Sequence, residues 1–286
     1  MDISMYSYFS DAVEQYGIKK AAEYAANLGF SSVEFIDCYP RHHVVADEAT
    51  AREYKNILDS YGLRVSCFSV GTNVIIPGNP AFDSEAAVSY LIQSAQVAAI
   101  LGSPFLHHTL IVGLKHTPDT YENDFDAVTE RLLPYTRRVA DACNSLGLTT
   151  LYEPQGIYVN GKNNFPAFYR RMKSYNSNVG VCGDTGNPLF LDWRPEEFYR
   201  ELAEEIKHVH IKNYRLAQSD SERSRYISLS GVRFSPSPLD DGDIDLQCCM
   251  NILKESGYTG AISLENEYTG EITSCLKADL SALRKY

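Results

Sequence analysis

The chain has 286 residues, 44% of them hydrophobic and 22% charged, the profile of a soluble globular protein. No apolar run approaches the ~18 residues a membrane span needs. The formal net charge of -11 argues against a nucleic-acid partner, which requires a basic face. The length fits one large α/β barrel or two medium domains; the absence of a Pro/Gly/Ser-rich linker or a composition break favours one domain, residues 1–286. No basic segment followed by an apolar stretch opens the chain, so no signal peptide is expected. Seven scattered cysteines (Cys38, Cys67, Cys143, Cys182, Cys248, Cys249, Cys275), with no C-x-x-C pair, read as reduced thiols of a cytoplasmic protein.

Strand-like residues begin at once, with residues 3–8 as the first strand. Helical periodicity over residues 11–28 stops at Gly29, and residues 32–36 form the second strand. A helix over 46–61 stops at Gly62, and residues 64–69 are the third strand. A long helix over 84–101 stops at Gly102, followed by the fourth strand, residues 105–110. The helix over 123–146 stops at Gly147, and the fifth strand ends in Glu153. A helix over 166–175 precedes the sixth strand, which ends in Asp184. A helix over 195–206 precedes the seventh, Lys207-His208-Val209-His210-Ile211-Lys212. After a long segment without periodicity, residues 215–245, a helix over 246–256 stops at Gly257 and leads to the eighth strand, ending in Glu265. Eight strands alternating with helices in this length predict a (β/α)8 barrel. A doubly wound open sheet is the rival architecture.

Four consecutive strands, the fifth to the eighth, each end in a ligand-type side chain: Glu153, Asp184, His210 and Glu265. In a barrel the active site lies at the C-terminal strand ends, so these four converge on one point. Burying three carboxylates together without a cation is costly. Three oxygens and one imidazole suit a hard divalent ion with open positions, manganese first, with magnesium, cobalt or zinc as alternatives. Each residue alone has an ordinary explanation: a solvated strand-end acid for Glu153 or Glu265, a helix cap for Asp184, a core histidine for His210. The joint pattern is what points to a metal.

Further polar residues fall beside this point. Glu34 is placed at the end of the second strand. His107 and His108 end the fourth, and alternation lets only one face inward. Lys212 shares the parity of His210 and should face the cavity just beyond it, where it could hold a phosphate or polarise a carbonyl. His208 lies deeper, as a packing or supporting residue. Asn187, Gln155, Asn73, Arg41, His42 and Lys115 lie just past strand ends. The 215–245 segment, with Arg215, Arg223, Arg225 and Arg233, is expected to cover the mouth or to form a contact with another copy of the chain.

The set Leu28-Gly29-Phe30-Ser31-Ser32-Val33-Glu34, Leu151-Tyr152-Glu153, Gly183-Asp184-Thr185-Gly186-Asn187, His208-Val209-His210-Ile211-Lys212 and residues 257–265 resembles the xylose-isomerase-like TIM barrels. These include sugar phosphate isomerases, ketose 3-epimerases and inosose dehydratases, and the resemblance spans nearly the whole chain. It implies a metal held by Glu153, Asp184, His210 and Glu265, a small carbohydrate substrate, and proton exchange by Glu153 and Glu265 from the two faces of the substrate. Glu34, His107 or His108, Asn187, Lys212 and Arg215 are the candidate substrate contacts. The chain departs from the epimerase pattern at Asn187, where a histidine is common. It departs again at Leu216, near a substrate-binding arginine, and at Asn213, where many relatives carry Asp. The metal set is complete while the ketose-epimerase substrate set is not. Apurinic endonucleases of the same fold need more His and Asp ligands and a basic face, which this chain lacks. The expected chemistry is proton abstraction beside a carbonyl through an enediolate, giving isomerisation, epimerisation or dehydration; a non-catalytic sugar-binding barrel is the rival from another class.

Overall fold

The structure is a computed structural model and describes residues 2–40, 44–77, 79–111, 125–156, 158–219, 222–267 and 270–286. Eight strands close a ring in the order β1 (Asp2–Met5), β11 (Ala261–Leu264), β7 (Ile206–Ile211), β6 (Val179–Asp184), β5 (Thr149–Tyr152), β4 (Phe105–His108), β3 (Arg64–Gly71), β2 (Ser32–Cys38). Every neighbouring pair is parallel. Closure rules out the open doubly wound sheet and confirms the (β/α)8 barrel expected from the alternation of elements.

Each strand alternates between two environments. The outward residues Val33, Phe35, Phe68, Val70, Leu106, Val181, Val209, Ile211 and Ile262 are buried against the surrounding helices. Phe35 packs edge-on to Phe9 at 5.2 Å and stacks on Phe68 at 6.0 Å between ring centroids. The inward face has a small apolar floor of Cys67, Leu151 and Cys182, with Phe105 packed against it. Two residues further along three of these strands stand Ser69, Glu153 and Asp184, so the barrel interior changes from apolar to polar within one step of the pleat.

The helices follow the sequence periodicity closely where caps mark them. One runs over Ser84–Leu101, with Asp83 accepting from the Ala86 N–H at its start and Gly102 at φ 76 at its end. The helix expected over 46–61 is Glu48–Ser60, because Asp47 is its N-cap. The one expected over 123–146 is Phe125–Ser145, residues 123 and 124 lying outside the described residues. Two expectations fail. The helix read over 11–28 is two helices, Phe9–Tyr16 and Ile18–Leu28, because Gly17 takes φ 81, ψ 156 and breaks the ladder between them. The helix read over 195–206 ends at Leu202 and is followed by a 3-10 turn through Ala203–Glu205, and Ile206 already belongs to β7.

The largest departure is the 215–245 segment. It is not an irregular loop: β8 (Asn213–Leu216), β9 (Tyr226–Ile227) and β10 (Arg233–Ser237) form a small antiparallel sheet in the order β8-β10-β9. The strands are short, rich in Ser and Arg, and pair out of sequence order, so no periodicity advertises them. The sheet buries one aromatic face, Tyr214, Tyr226 and Phe234 around Phe190 of the turn after β6. At its other end Tyr226 donates to Glu267, just past β11, at 2.6 Å. It therefore sits on the C-terminal rim of the barrel, between the turns that follow β6 and β11.

Asn213 ties this rim down. Its side-chain oxygen accepts from the Tyr214 and Ile244 N–H groups at 2.9 and 3.1 Å, and its amide donates to Leu239 O at 2.9 Å. The returning chain passes so close that a Cβ on Gly242 would lie 2.1 Å from Asn213 Oδ1. Gly242→Ala is therefore expected to destabilise the protein by about 1–3 kcal/mol through overpacking. Asn213→Ala is expected to cost a similar amount by leaving buried backbone groups unpaired. Urea unfolding measures both, and midpoints equal to the parent would show that this tether does not hold the rim.

Candidate metal centre

Strand register brings the four candidate ligands together. Asp184 is the last residue of β6 and stands opposite His210 of β7, while His210 stands opposite Ser263 of β11. Glu153 and Glu265 each follow the last residue of their strands. The Glu265 N–H still donates to Ile211 O at 3.0 Å, so the ladder fixes its backbone one step past β11. One ligand atom from each of Glu153, Asp184, His210 and Glu265 lies within 4.8 Å of the other three. The Gly186 and Asn187 N–H groups both donate to Asp184 Oδ1 at 2.6 Å, which turns Oδ2 toward the cluster.

His210 is oriented from below. Its Nε2–H donates to Glu34 Oε1 at 3.0 Å, leaving Nδ1 to face Glu153 Oε1 at 3.5 Å and Glu265 Oε2 at 3.3 Å. Glu34 does not end its strand. It is the third residue of β2, which runs on to Cys38, and it lies fully buried beneath the cluster. Its other contacts are His208 Nε2 at 2.7 Å, Ser69 Oγ at 2.6 Å and the Ser263 hydroxyl. Glu34 thus supports the centre rather than facing the mouth. The ring of Tyr6 stacks on His210 at 4.7 Å and 16°.

The remaining candidates divide. His107 faces inward, with Nδ1 2.9 Å from Ser69 Oγ and Nε2 3.1 Å from Glu153 Oε2. His108 faces away from the interior, edge-on to Tyr152 at 5.4 Å, and burial lowers its pKa to about 4. Asn187 donates to Glu153 Oε1 at 2.9 Å and accepts from Lys212 Nζ at 3.1 Å. Lys212 is in the cluster, its ammonium 3.0 Å from Asp184 Oδ2 and 2.8 Å from Glu265 Oε2. Arg215 is not: its guanidinium is held by Asp241 at 2.5 Å and lines a separate cleft of about 210 Å³ with Arg223 and Ser235. Arg41, His42 and Lys115 lie outside the described residues. Sequence reasoning missed Tyr6, Ser69 and Ser263 as members of this environment. Ser263 shares the parity of Glu265, and Tyr6 follows the end of β1, so strand-end placement applied to every strand would have found both.

Burial and charge act against each other here. Burial alone would push the Glu34 carboxyl up, but the charges and hydrogen bonds of His210 and His208 outweigh it and hold Glu34 well below the usual carboxylate range. Glu153 is held low in the same way against burial, by His107 and His210. Asp184 goes the other way. Burial pushes its carboxyl well above the usual range; Lys212 opposes this, while crowding by Glu153 and Glu265 adds to it.

The donor set fits a divalent cation. Asp184 Oδ2, His210 Nδ1 and Glu265 Oε2 are buried and close to charged neighbours, yet none makes a directed hydrogen bond. An ion among them would satisfy all three and relieve the crowding of Asp184, through hard oxygen and imidazole ligands.

Two outcomes follow from these charges. Glu34 is held below its ordinary value near 4.5, so its contribution to stability is present above that pH and lost as pH falls through the lower, folded-state value. Glu34→Gln is expected to cost about 3 kcal/mol at pH 7, as when one partner leaves a buried pair, with the difference narrowing in acid; urea unfolding across pH checks this. Asp184 has the opposite sign: its folded pKa lies above its ordinary value of 3.8, so its stability contribution is largest in acid and is lost as pH rises. In chelator, the cost of Asp184→Asn is therefore expected to fall as pH rises, the reverse of Glu34→Gln; melting temperatures taken across pH check this.

Comparison with known proteins places this geometry. Inosose dehydratase of Lacticaseibacillus casei is 28% identical over 141 residues, 48% of this chain. The chain spans 47% of that relative's length, about half. Among solved structures, L-ribulose 3-epimerase superposes with a TM-score of 0.74 at 18% identity, covering 99% of this chain and 93% of the other. The IOLI protein with a binding zinc atom superposes with a TM-score of 0.74 at 12% identity, covering 100% of this chain and 97% of the other. At these identities the superpositions show the fold. The sequence profile of the xylose isomerase-like TIM barrels matches residues 22–286, and this chain belongs to that family.

Proposed function

We propose that the protein is a metal-dependent enzyme that moves a proton on a carbohydrate-like keto compound, as an isomerase or epimerase, through an enediolate. The observation that carries this reading is the convergence of Glu153, Asp184, His210 and Glu265, three of them presenting buried atoms without directed partners to one point. A divalent cation held by these four supplies Lewis-acid polarisation of the substrate's carbonyl and neighbouring hydroxyl.

The chain's own groups then handle the proton. Glu153 and Glu265 flank Asp184 and His210, coming from strands separated by β6 and β7. They reach a central substrate from different sides. Glu153 is held as a carboxylate by His107 and His210, the form that can take a proton. The Ser69 hydroxyl hydrogen goes to Glu34, so Ser69 accepts from His107 Nδ1–H and leaves Nε2 directed at Glu153 Oε2, 3.1 Å away. Return of the proton to the opposite face of the same carbon epimerises; return to the neighbouring carbon isomerises.

A second reading, loss of water β to the carbonyl, is favoured by the 28% identity to inosose dehydratase and by the Lys212 ammonium beside Glu265, a donor for a departing hydroxide. Among the described residues, the nearby cations favour an uncharged substrate over a sugar phosphate. Lys212 faces Asp184 and Glu265, Arg215 faces Asp241 and Arg225 faces Glu267.

The test is exchange. Metal-loaded protein incubated with keto sugars and keto-inositols in D2O is expected to place deuterium in product or recovered substrate. Glu153→Gln and Glu265→Gln are each expected to lower kcat by roughly 10²–10⁴-fold. An enone absorbing in the ultraviolet would select dehydration. Turnover without deuterium, or turnover that survives both substitutions, would end the proposal. Metal bound at pH 7 is expected to be released below about pH 5 as carboxylates and imidazole protonate, which equilibrium dialysis measures.

A further inference from the structure

Lys212 occupies the centre without belonging to its ligand set. Its ammonium lies 2.8 Å from Glu265 Oε2, 3.0 Å from Asp184 Oδ2 and 3.1 Å from Asn187 Oδ1. The first two are the oxygens that the candidate ligands turn toward one another. A divalent ion bonds such an oxygen at about 2.2 Å. Added to the 2.8 Å leg from Glu265 Oε2 to Nζ, this puts the ion and the ammonium no more than about 5 Å apart. Two cations cannot share those oxygens at that separation in a buried site without strong repulsion.

The rest of the side chain is held in place. Thr185 Oγ1 accepts from the Lys212 N–H at 2.9 Å and donates to Lys212 O at 2.7 Å. The aliphatic stem crosses Gly186, which the ring of Tyr214 also approaches. A Cβ on Gly186 would lie 2.6 Å from Lys212 Cγ, 2.8 Å from Cδ and 2.5 Å from Tyr214 Cε2. The glycine of Gly183-Asp184-Thr185-Gly186 is therefore the clearance for this stem. With backbone and stem fixed, only the last torsions of the side chain can turn, on the side where Asn187 Oδ1 already receives the ammonium.

We propose that Lys212 is a resident cation of the metal-free centre: it holds Asp184 and Glu265 together until a divalent ion displaces its ammonium, which stays in the mouth beside Asn187 as a donor to a substrate oxygen. The inference rests on the metal reading above and adds the means by which the acid cluster survives without the ion. It also makes the affinity for the ion a competition between two cations.

The experiment uses the full chain stripped of metal, with MnCl2 and ZnCl2 as probes in titration calorimetry. Lys212→Met keeps the stem and removes the charge. It is expected to bind manganese on the order of tenfold tighter or more, to melt lower than the parent in chelator, and to gain more melting temperature when the ion is added. Lys212→Arg, which keeps the charge, is expected to show no tightening. Gly186→Ala is expected to displace the stem and lower metal-free stability. If Lys212→Met does not fold, Lys212→Gln carries the same comparison. Crystals grown with manganese are expected to show Nζ farther than 3.0 Å from Asp184 Oδ2. Manganese bound by parent and Lys212→Met with equal affinity, or an unmoved Nζ in the manganese form, would overturn the displacement and leave the metal reading standing. No binding by either protein would overturn both.

Discussion

The carboxylate of Glu34 is the constraint on which the centre depends. It takes His208 and Ser263 on one oxygen, and His210 and Ser69 on the other. By accepting Nε2–H it decides which nitrogen His210 offers to the mouth, a role that carboxylates commonly play behind metal-binding imidazoles. The shift in register between Val33 and Glu34 sets Glu34 opposite Cys67 of β3 and puts the carboxylate inside the barrel. The same carboxylate orders Ser69, and through it the ring of His107 that meets Glu153. One buried charge thus orients groups on four other strands.

That arrangement replaces part of an aliphatic barrel core with polar contacts. The apolar filling is reduced to the floor of Cys67, Leu151 and Cys182. The main core lies between strands and helices, where Phe9, Phe35, Phe68, Tyr152 and Phe168 are buried. Stability and chemistry are thereby divided between the two faces of the same strands: outward residues bury apolar surface, and inward residues can carry charge because each finds a partner. Asp184 is the least balanced of them, pushed up by burial and by its acidic neighbours. The Lys212 ammonium, 3.0 Å from its Oδ2, opposes that push without cancelling it.

The rim converts the barrel end into an enclosed site. Asn213, next in sequence to Lys212, binds the returning 239–244 chain. Asn266, next to Glu265, donates to Ser237 O and to the buried Asp279, which also accepts from the Leu239 N–H. Two residues of the centre are therefore each followed by an asparagine that anchors the same returning segment. The small sheet over them brings Tyr214 to the same side of Gly186 as the stem of Lys212. Glu153, Asp184, His210 and Lys212 are consequently almost wholly buried, and the contact energies among them are those of a low-dielectric interior rather than of a solvated surface.

The sequence by itself determined the barrel, since strand and helix periodicities are local and eight alternating units of this length close in few ways. It also determined which strand ends carry Glu153, Asp184, His210 and Glu265, because alternation along a strand is a property of the chain alone. Other features were decided only by tertiary structure. Gly17 separates two helices because its backbone leaves the helical region, which periodicity across it does not report. Glu34 lies beneath the mouth rather than at it because β2 runs on past it, and that depends on pairing with β3. The 215–245 segment becomes a sheet because β8 finds β10 across a long intervening chain, a non-local contact that leaves no mark on either strand. Lys212 meets the acids rather than solvent because Gly186, on the neighbouring strand's turn, gives its stem room to pass. In each case the deciding contact joins residues distant in sequence, and only the closed barrel brings them within reach.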